Sequence, residues 1–142
     1  MADINHMIRI AAPVERVAAL VGTADGFTRW WAEDVTSPPD GTVSLGFFNR
    51  QTIYVLRPVE HGPNRIVWRV ESGHEWAGSD IRFDLAADKS ATVLRFSHAN
   101  WRAVTDYFTS CNTTWGELMF RIAADAEGHG RGPLFKRESL GY

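Results

Sequence analysis

Chemistry in this chain has to come from a short set of side chains: five histidines, one cysteine, three tyrosines and a few neighbouring carboxylates. The histidines stand at positions 6, 61, 74, 98 and 129, and no two share the i, i+4 spacing of a helical metal site. Cys111 adds no cluster, so no metal and no cofactor is expected. His98 follows Leu94 and Phe96 on one side of an alternating run. A histidine there is either a hydrogen-bonded ring at a strand end or a cavity-facing group able to do acid–base work near neutral pH. Tyr107 and Cys111, four residues apart, reach the same space if their segment is helical. Cys111 there is a small buried hydrophobe or a nucleophile.

Two carboxylate pairs invite a hydrolase reading, Asp80 with Asp84 and Glu71 with Glu75. Asp80, Arg82 and Asp84 alternate with Ile81, Phe83 and Leu85, which predicts a solvated outer face. Glu71 opposes Trp68 and Val70 in parity and belongs outside as well, whereas Glu75, between His74 and Trp76, can edge a cavity mouth. Three further patterns fail on context. Gly128-His129-Gly130-Arg131-Gly132 follows a helical pattern where a phosphate loop precedes one. Asn112-Thr113-Thr114 is a glycosylation sequon inside a helical stretch, and no Gly-x-Ser-x-Gly elbow occurs. No catalytic residue is assigned.

These groups are positioned by an order of elements that the periodicity spells out. Ile4 to Ala11 alternates as a strand. Pro13 opens a helix carrying Val14, Val17, Ala18 and Val21 and ending at Gly22; Asp25 is the expected cap of a second short helix with Phe27, Trp30 and Trp31. Five strands follow, over 42–49, 52–60, 65–72, 78–86 and 91–98, with connections short enough for an antiparallel meander. From about Thr105 to Glu127 an apolar stripe at helical spacing predicts one long helix, and Gly128, Gly130, Gly132 and Pro133 end it. A sheet with one apolar face needs a cover, and a helix with one apolar stripe supplies it. The expected fold is therefore α+β, a helix-grip fold in the order β-α-α-β-β-β-β-β-α. Residues 1–127 form the single domain and 128–142 a tail, loose from Leu134 to Tyr142.

Bulk properties narrow the function classes. A net charge of -2 without a basic run argues against a nucleic-acid partner. No apolar run approaches the roughly 18 residues of a membrane span, and the first residues lack the features of a signal peptide. One cysteine suits a reducing compartment, so the expected location is the cytoplasm. Six Trp and eight Phe are many large rings for a small sheet with one long helix, which predicts that some line a pocket or a partner surface.

Ile10-Ala11-Ala12-Pro13-Val14-Glu15-Arg16-Val17 resembles the opening of SRPBCC proteins, the START-like and birch-pollen-allergen-like superfamily. Trp30-Trp31 resembles the aromatic pair of the subfamily named after an activator of a heat-shock chaperone ATPase. Thr92 to His98, then Trp101 and Cys111 to Trp115, resembles the last strand and helix start of that subfamily, so the resemblance runs from about Ile4 to Glu127. It implies a mostly apolar cavity between sheet and long helix. Members bind lipids, hormones or polyketides; some are cyclases, dehydratases or hydrolases; others contact a chaperone. The superfamily shares no catalytic motif, so the resemblance implies a fold and no reaction.

Three functions follow from this reading. In the first, a small hydrophobic or aromatic ligand is bound by walls of Trp30, Phe47, Tyr54, Trp68, Trp76, Phe83, Phe96 and Trp115, with His98, Tyr107, Cys111 and Glu75 supplying polarity. In the second, the same cavity is an enzyme that uses His98 as acid or base. In the third, the chain is an interaction module for a chaperone or for a second copy of itself, with an exposed apolar patch at Trp30-Trp31 or the tail.

Overall fold

The computed structural model describes residues 1–138 of the 142-residue chain. In chain order the elements are β1 (Ala2–Ile10), α1 (Val14–Val21), α2 (Ala24–Trp30), β2 (Asp34–Thr36), β3 (Val43–Phe47), β4 (Thr52–His61), β5 (Arg65–Ser72), β6 (Asp80–Asp88), β7 (Ala91–Trp101) and α3 (Asp106–Ala126). The strands form one antiparallel sheet, ordered β1-β7-β6-β5-β4-β3-β2, and α3 lies across its apolar face. This is the helix-grip arrangement, with one short strand, β2, beyond those the alternation predicts.

Because side chains alternate across a strand, register decides what meets beneath α3. Ile66, Phe83, Phe96 and His6 stand in one row across β5, β6, β7 and β1; Trp68, Ile81, His98 and Ile4 form the next. All but His6 are buried. The facing stripe of α3 is Cys111, Trp115, Leu118, Met119, Ile122 and Ala126. Thr105 caps α3 by accepting the Phe108 N–H at 3.2 Å.

The two short helices close one end of the sheet. The cap of α2 is Thr23, whose hydroxyl accepts the Gly26 N–H at 2.9 Å, and not Asp25. Gly26 allows the close approach of the two helices, since a Cβ there would lie 2.3 Å from the Ala19 carbonyl oxygen. Phe27, Trp30 and Trp31 are fully buried rather than presented to a partner. The Trp30 indole donates to the Leu20 carbonyl at 2.8 Å and the Trp68 indole to the Val21 carbonyl at 3.0 Å.

The chain after α3 is not loose where it is described. Phe135 is buried, bridges Ala32 in parallel, and donates its N–H to the Trp31 carbonyl at 3.0 Å. Arg137 accepts the Asn49 N–H at 2.9 Å and sets its guanidinium 3.3 Å from buried Asp34, which Arg50 also binds at 2.7 Å. Residues 139–142, the end of the expected loose tail, lie outside the described residues. The predicted outer face of β6 holds for Arg82 and Asp84, but Asp80 is buried among Arg69, Arg82 and Asn100. Desolvation pulls the Asp80 carboxyl upward, and the Arg69 hydrogen bond and charge outweigh it, holding it below the ordinary range. Among the described residues no helix is long and apolar enough to cross a membrane.

Candidate functional site

The interior between sheet and α3 has a closed half and an open half, and His98 belongs to the closed one. It is completely buried on β7, and both ring nitrogens are used. The Trp115 indole N–H donates to Nδ1 at 3.2 Å, so the neutral ring carries its proton on Nε2 and donates to Ser79 Oγ at 2.7 Å. Ser79 in turn donates to the Trp76 carbonyl at 2.5 Å. Burial drives the His98 pKa down to about 3, against a smaller upward pull from Asp80. A ring that is neutral, enclosed and fully hydrogen-bonded has no valence left for acid–base work on a ligand.

The open half lies where β3 and β4 meet α3. There a partly enclosed pocket of about 80 Å³ is bounded by Trp31, Tyr54, Trp76, Trp115, Leu118 and Phe135 in its depth. Phe48, Thr52, Tyr107, Ser110 and Thr114 edge its mouth. Trp76 reaches it from the 73–79 connection between β5 and β6. That connection carries Glu75 in left-handed backbone, and Glu75 accepts from the N-cap Thr105 hydroxyl at 2.6 Å. The Trp76 ring stacks on Tyr54 with centroids 3.9 Å apart. Gly73 makes room for that stack: a Cβ there would lie 2.0 Å from Tyr54 Cδ1.

Polar groups cluster on one wall. Tyr54 Oη and Tyr107 Oη share a short hydrogen bond, and Cys111 interacts with both Tyr107 and the Trp76 indole. Burial lifts both phenols above the ordinary tyrosine range; for Tyr107 the hydrogen bond from Tyr54 offsets part of the rise. Burial likewise pushes the Cys111 thiol up to about 11 against smaller pulls from Trp76 and Tyr107. At neutral pH all three groups keep their protons, so the wall is uncharged and offers no thiolate nucleophile. Trp76 Nε1 is buried and meets the Cys111 sulfur, a weak acceptor, with no oxygen or nitrogen acceptor beside it.

Of the residues the sequence nominates for a ligand, Phe47, Tyr54, Trp76, Tyr107, Cys111 and Trp115 meet in this pocket. Trp30, Trp68, Phe83 and Phe96 pack in the core on its far side, where Phe83 and Phe96 rings contact each other at 5.4 Å. His98 is in the network above, and Glu75 faces Thr105 and His74 instead of the pocket lining. Sequence reasoning missed Trp31, Phe48, Thr52, Ser110, Thr114, Leu118 and Phe135 as lining residues. The helical ones carried a usable signal, because Tyr107, Ser110, Cys111, Thr114 and Leu118 recur every three or four residues beside the apolar stripe. A second, broader groove of about 760 Å³ lies between α1 and the β4–β5 turn, edged by Val14, Ala18, His61 and Ile66; it is shallow and open to solvent.

No family model and no curated protein sequence matches the chain. Solved structures do. The Aha1 dimer from Colwellia psychrerythraea is similar at 27% identity over 91% of this chain and 98% of that one, with a TM-score of 0.79. DynU16 from the dynemicin biosynthetic locus superposes at a TM-score of 0.72 with 15% identity, covering 95% of this chain and 51% of its own, so this chain spans about half of it. Protein MLL2253 from Mesorhizobium loti gives 0.73 at 11% identity, covering 86% of this chain and 94% of that one. The latter two likenesses concern the fold alone. Together the neighbours are consistent with the SRPBCC-like superfamily that the sequence resembles.

Proposed function

We propose that the protein binds a small, uncharged apolar or aromatic ligand in the pocket between β3, β4 and α3. The observation that carries this reading is an aromatic-lined hollow with a mouth to solvent between the sheet and α3. Such a hollow forfeits dispersion contacts that a filled core would make, and a ligand restores them. The binding unit is the domain 1–127, with Phe135 of the following segment as part of the wall, and its place is the cytosol, which suits the free buried Cys111. No reaction is proposed, because His98 is committed to Ser79 and Trp115.

Native mass spectrometry of the protein gently purified from its host tests this. A reproducible added mass that denaturation releases is the expected result, and Leu118→Trp, which fills the pocket, abolishes it. An added mass retained unchanged by folded Leu118→Trp contradicts the pocket as the site.

A second reading is supported by the 27% identity to the Aha1 dimer: membership in the chaperone-activator subfamily, with a protein contact or self-association. The contact surface would not be Trp30-Trp31, which are buried. Light scattering coupled to size exclusion decides self-association, with a mass of twice 15.9 kDa expected for a dimer.

A further inference from the structure

The two edges of the sheet are finished differently. The β2 edge is three residues long and runs on into Pro38 and Pro39. It is flanked by the segment after α3, where the Glu33 N–H donates to the Phe135 carbonyl at 3.0 Å. β1 ends the other side of the sheet with nine residues, and no strand stands beside its outer edge. Short length, proline, lysine and bulges are usual protections of an edge, and β1 has none of them. Its one register shift against β7 sets Ala99 and Asn100 opposite Asp3, so the extra residue belongs to β7 and β1 stays regular.

We propose that β1 is the surface through which two copies of this chain associate, pairing antiparallel about a two-fold axis between their His6 residues. The proposal rests on the self-association reading above and gives it a surface. In such a pair residue i faces residue j and j faces i, so the strand has to complement its own reverse. Centred on His6, Ala2 meets Ile10, Ile4 meets Ile8, Asn5 meets Met7, and Asp3 meets Arg9. That register uses all nine residues of β1 and sets opposite charges against each other twice. Moving the axis to Asn5 or to Met7 loses both charge pairs. Both charged groups have valence to spare. Arg9 uses only Nε, on Asp88, and Asp3 uses only Oδ1, on the Asn100 N–H at 2.9 Å. Apolar surface flanks the same strand. Met7 is 65% exposed on its outer face; Gly116 of α3 lies over His6, and Phe120, one turn further along α3, is 64% exposed. A second copy seated on β1 comes against both.

Analytical ultracentrifugation over a concentration series, joined to amide hydrogen exchange on the full chain, tests this. The expected result is a dimer whose formation protects alternate β1 amides and leaves the β2 amides unchanged. Arg9→Asp places two Asp–Asp pairs in the interface and Asp3→Arg two Arg–Arg pairs; each should weaken the dimer about tenfold. The double exchange Asp3→Arg with Arg9→Asp should restore it. Asp3 and Arg9 are exposed, and a thermal melt checks that each variant is folded. If a variant fails to fold, the wild-type exchange pattern decides alone, since β1 must gain protection as concentration rises. A dimer that withstands both single exchanges, or forms with β1 unprotected, overturns this surface and leaves self-association intact. A protein still monomeric at millimolar concentration overturns both, even where a foreign chain is found to protect β1.

Discussion

The interior beneath β6 and β7 and the interior beneath β3 and β4 are built from the same materials, aromatic rings with a few polar groups, and they end in different states. In the first, Trp115, His98, Ser79 and the Trp76 carbonyl form a chain in which each donor has an acceptor, and only the neighbouring Trp101 Nε1 makes no hydrogen bond. In the second, two phenols bond each other, a thiol stays protonated, one indole N–H has only the Cys111 sulfur beside it, and a hollow opens to solvent. A satisfied polar network fixes a core, whereas an incomplete one beside a void is where a ligand can add free energy. Trp76 takes part in both halves, through its carbonyl on one side and its ring on the other.

Breaking the closed half should have the largest effect. Trp115→Ala removes a ring that packs in both halves and leaves His98 Nδ1 without a donor; a loss of about 3–5 kcal/mol in urea unfolding is expected. Acid should do it next. The His98 pKa is near 3 folded and 6.5 ordinarily, so the unfolded chain takes up a proton first as pH falls. That contribution is fully present above about pH 6.5 and is lost towards pH 3, at about 1.4 kcal/mol per pH unit. Urea midpoints at several pH values should show that slope in the wild type and a shallower one in His98→Gln.

The open half should be softer. Gly73→Ala drives a Cβ into the Tyr54 ring at a backbone φ of +140°, so a loss of about 1–3 kcal/mol and a disturbed pocket are expected by thermal melting and probe titration. Tyr107→Phe removes one hydroxyl near the mouth and should cost about 1 kcal/mol or less in urea unfolding. If Tyr107→Phe proves as damaging as Trp115→Ala, the two halves are not different in kind.

Much of the frame was legible in the sequence because burial imposes periodicity. The parity of Phe83 with Phe96, and of Leu94 with His98, names the inward face correctly, and the stripe from Cys111 to Ile122 marks α3. Parity gives a side of the sheet and nothing about depth along it. It therefore cannot separate Phe83, in the filled half, from Tyr54, in the hollow one. β2 escaped because Asp34-Val35-Thr36 is too short to alternate. Trp76 depends on a connection whose course is set by left-handed Glu75 and by Gly73, features that hydrophobic pattern does not encode. Phe135 was missed because its partners, Ala32 and Phe47, are about a hundred residues away in sequence.

The central claim, that the β3–β4–α3 pocket is the ligand site, is tested most directly by amide and indole shift mapping with a neutral aromatic ketone such as acetophenone. The account predicts saturable shifts centred on Tyr54, Trp76, Tyr107, Cys111 and Phe135, with the Val14–Ile66 groove unmoved. Shifts centred on that groove, or none at saturating probe, would contradict it.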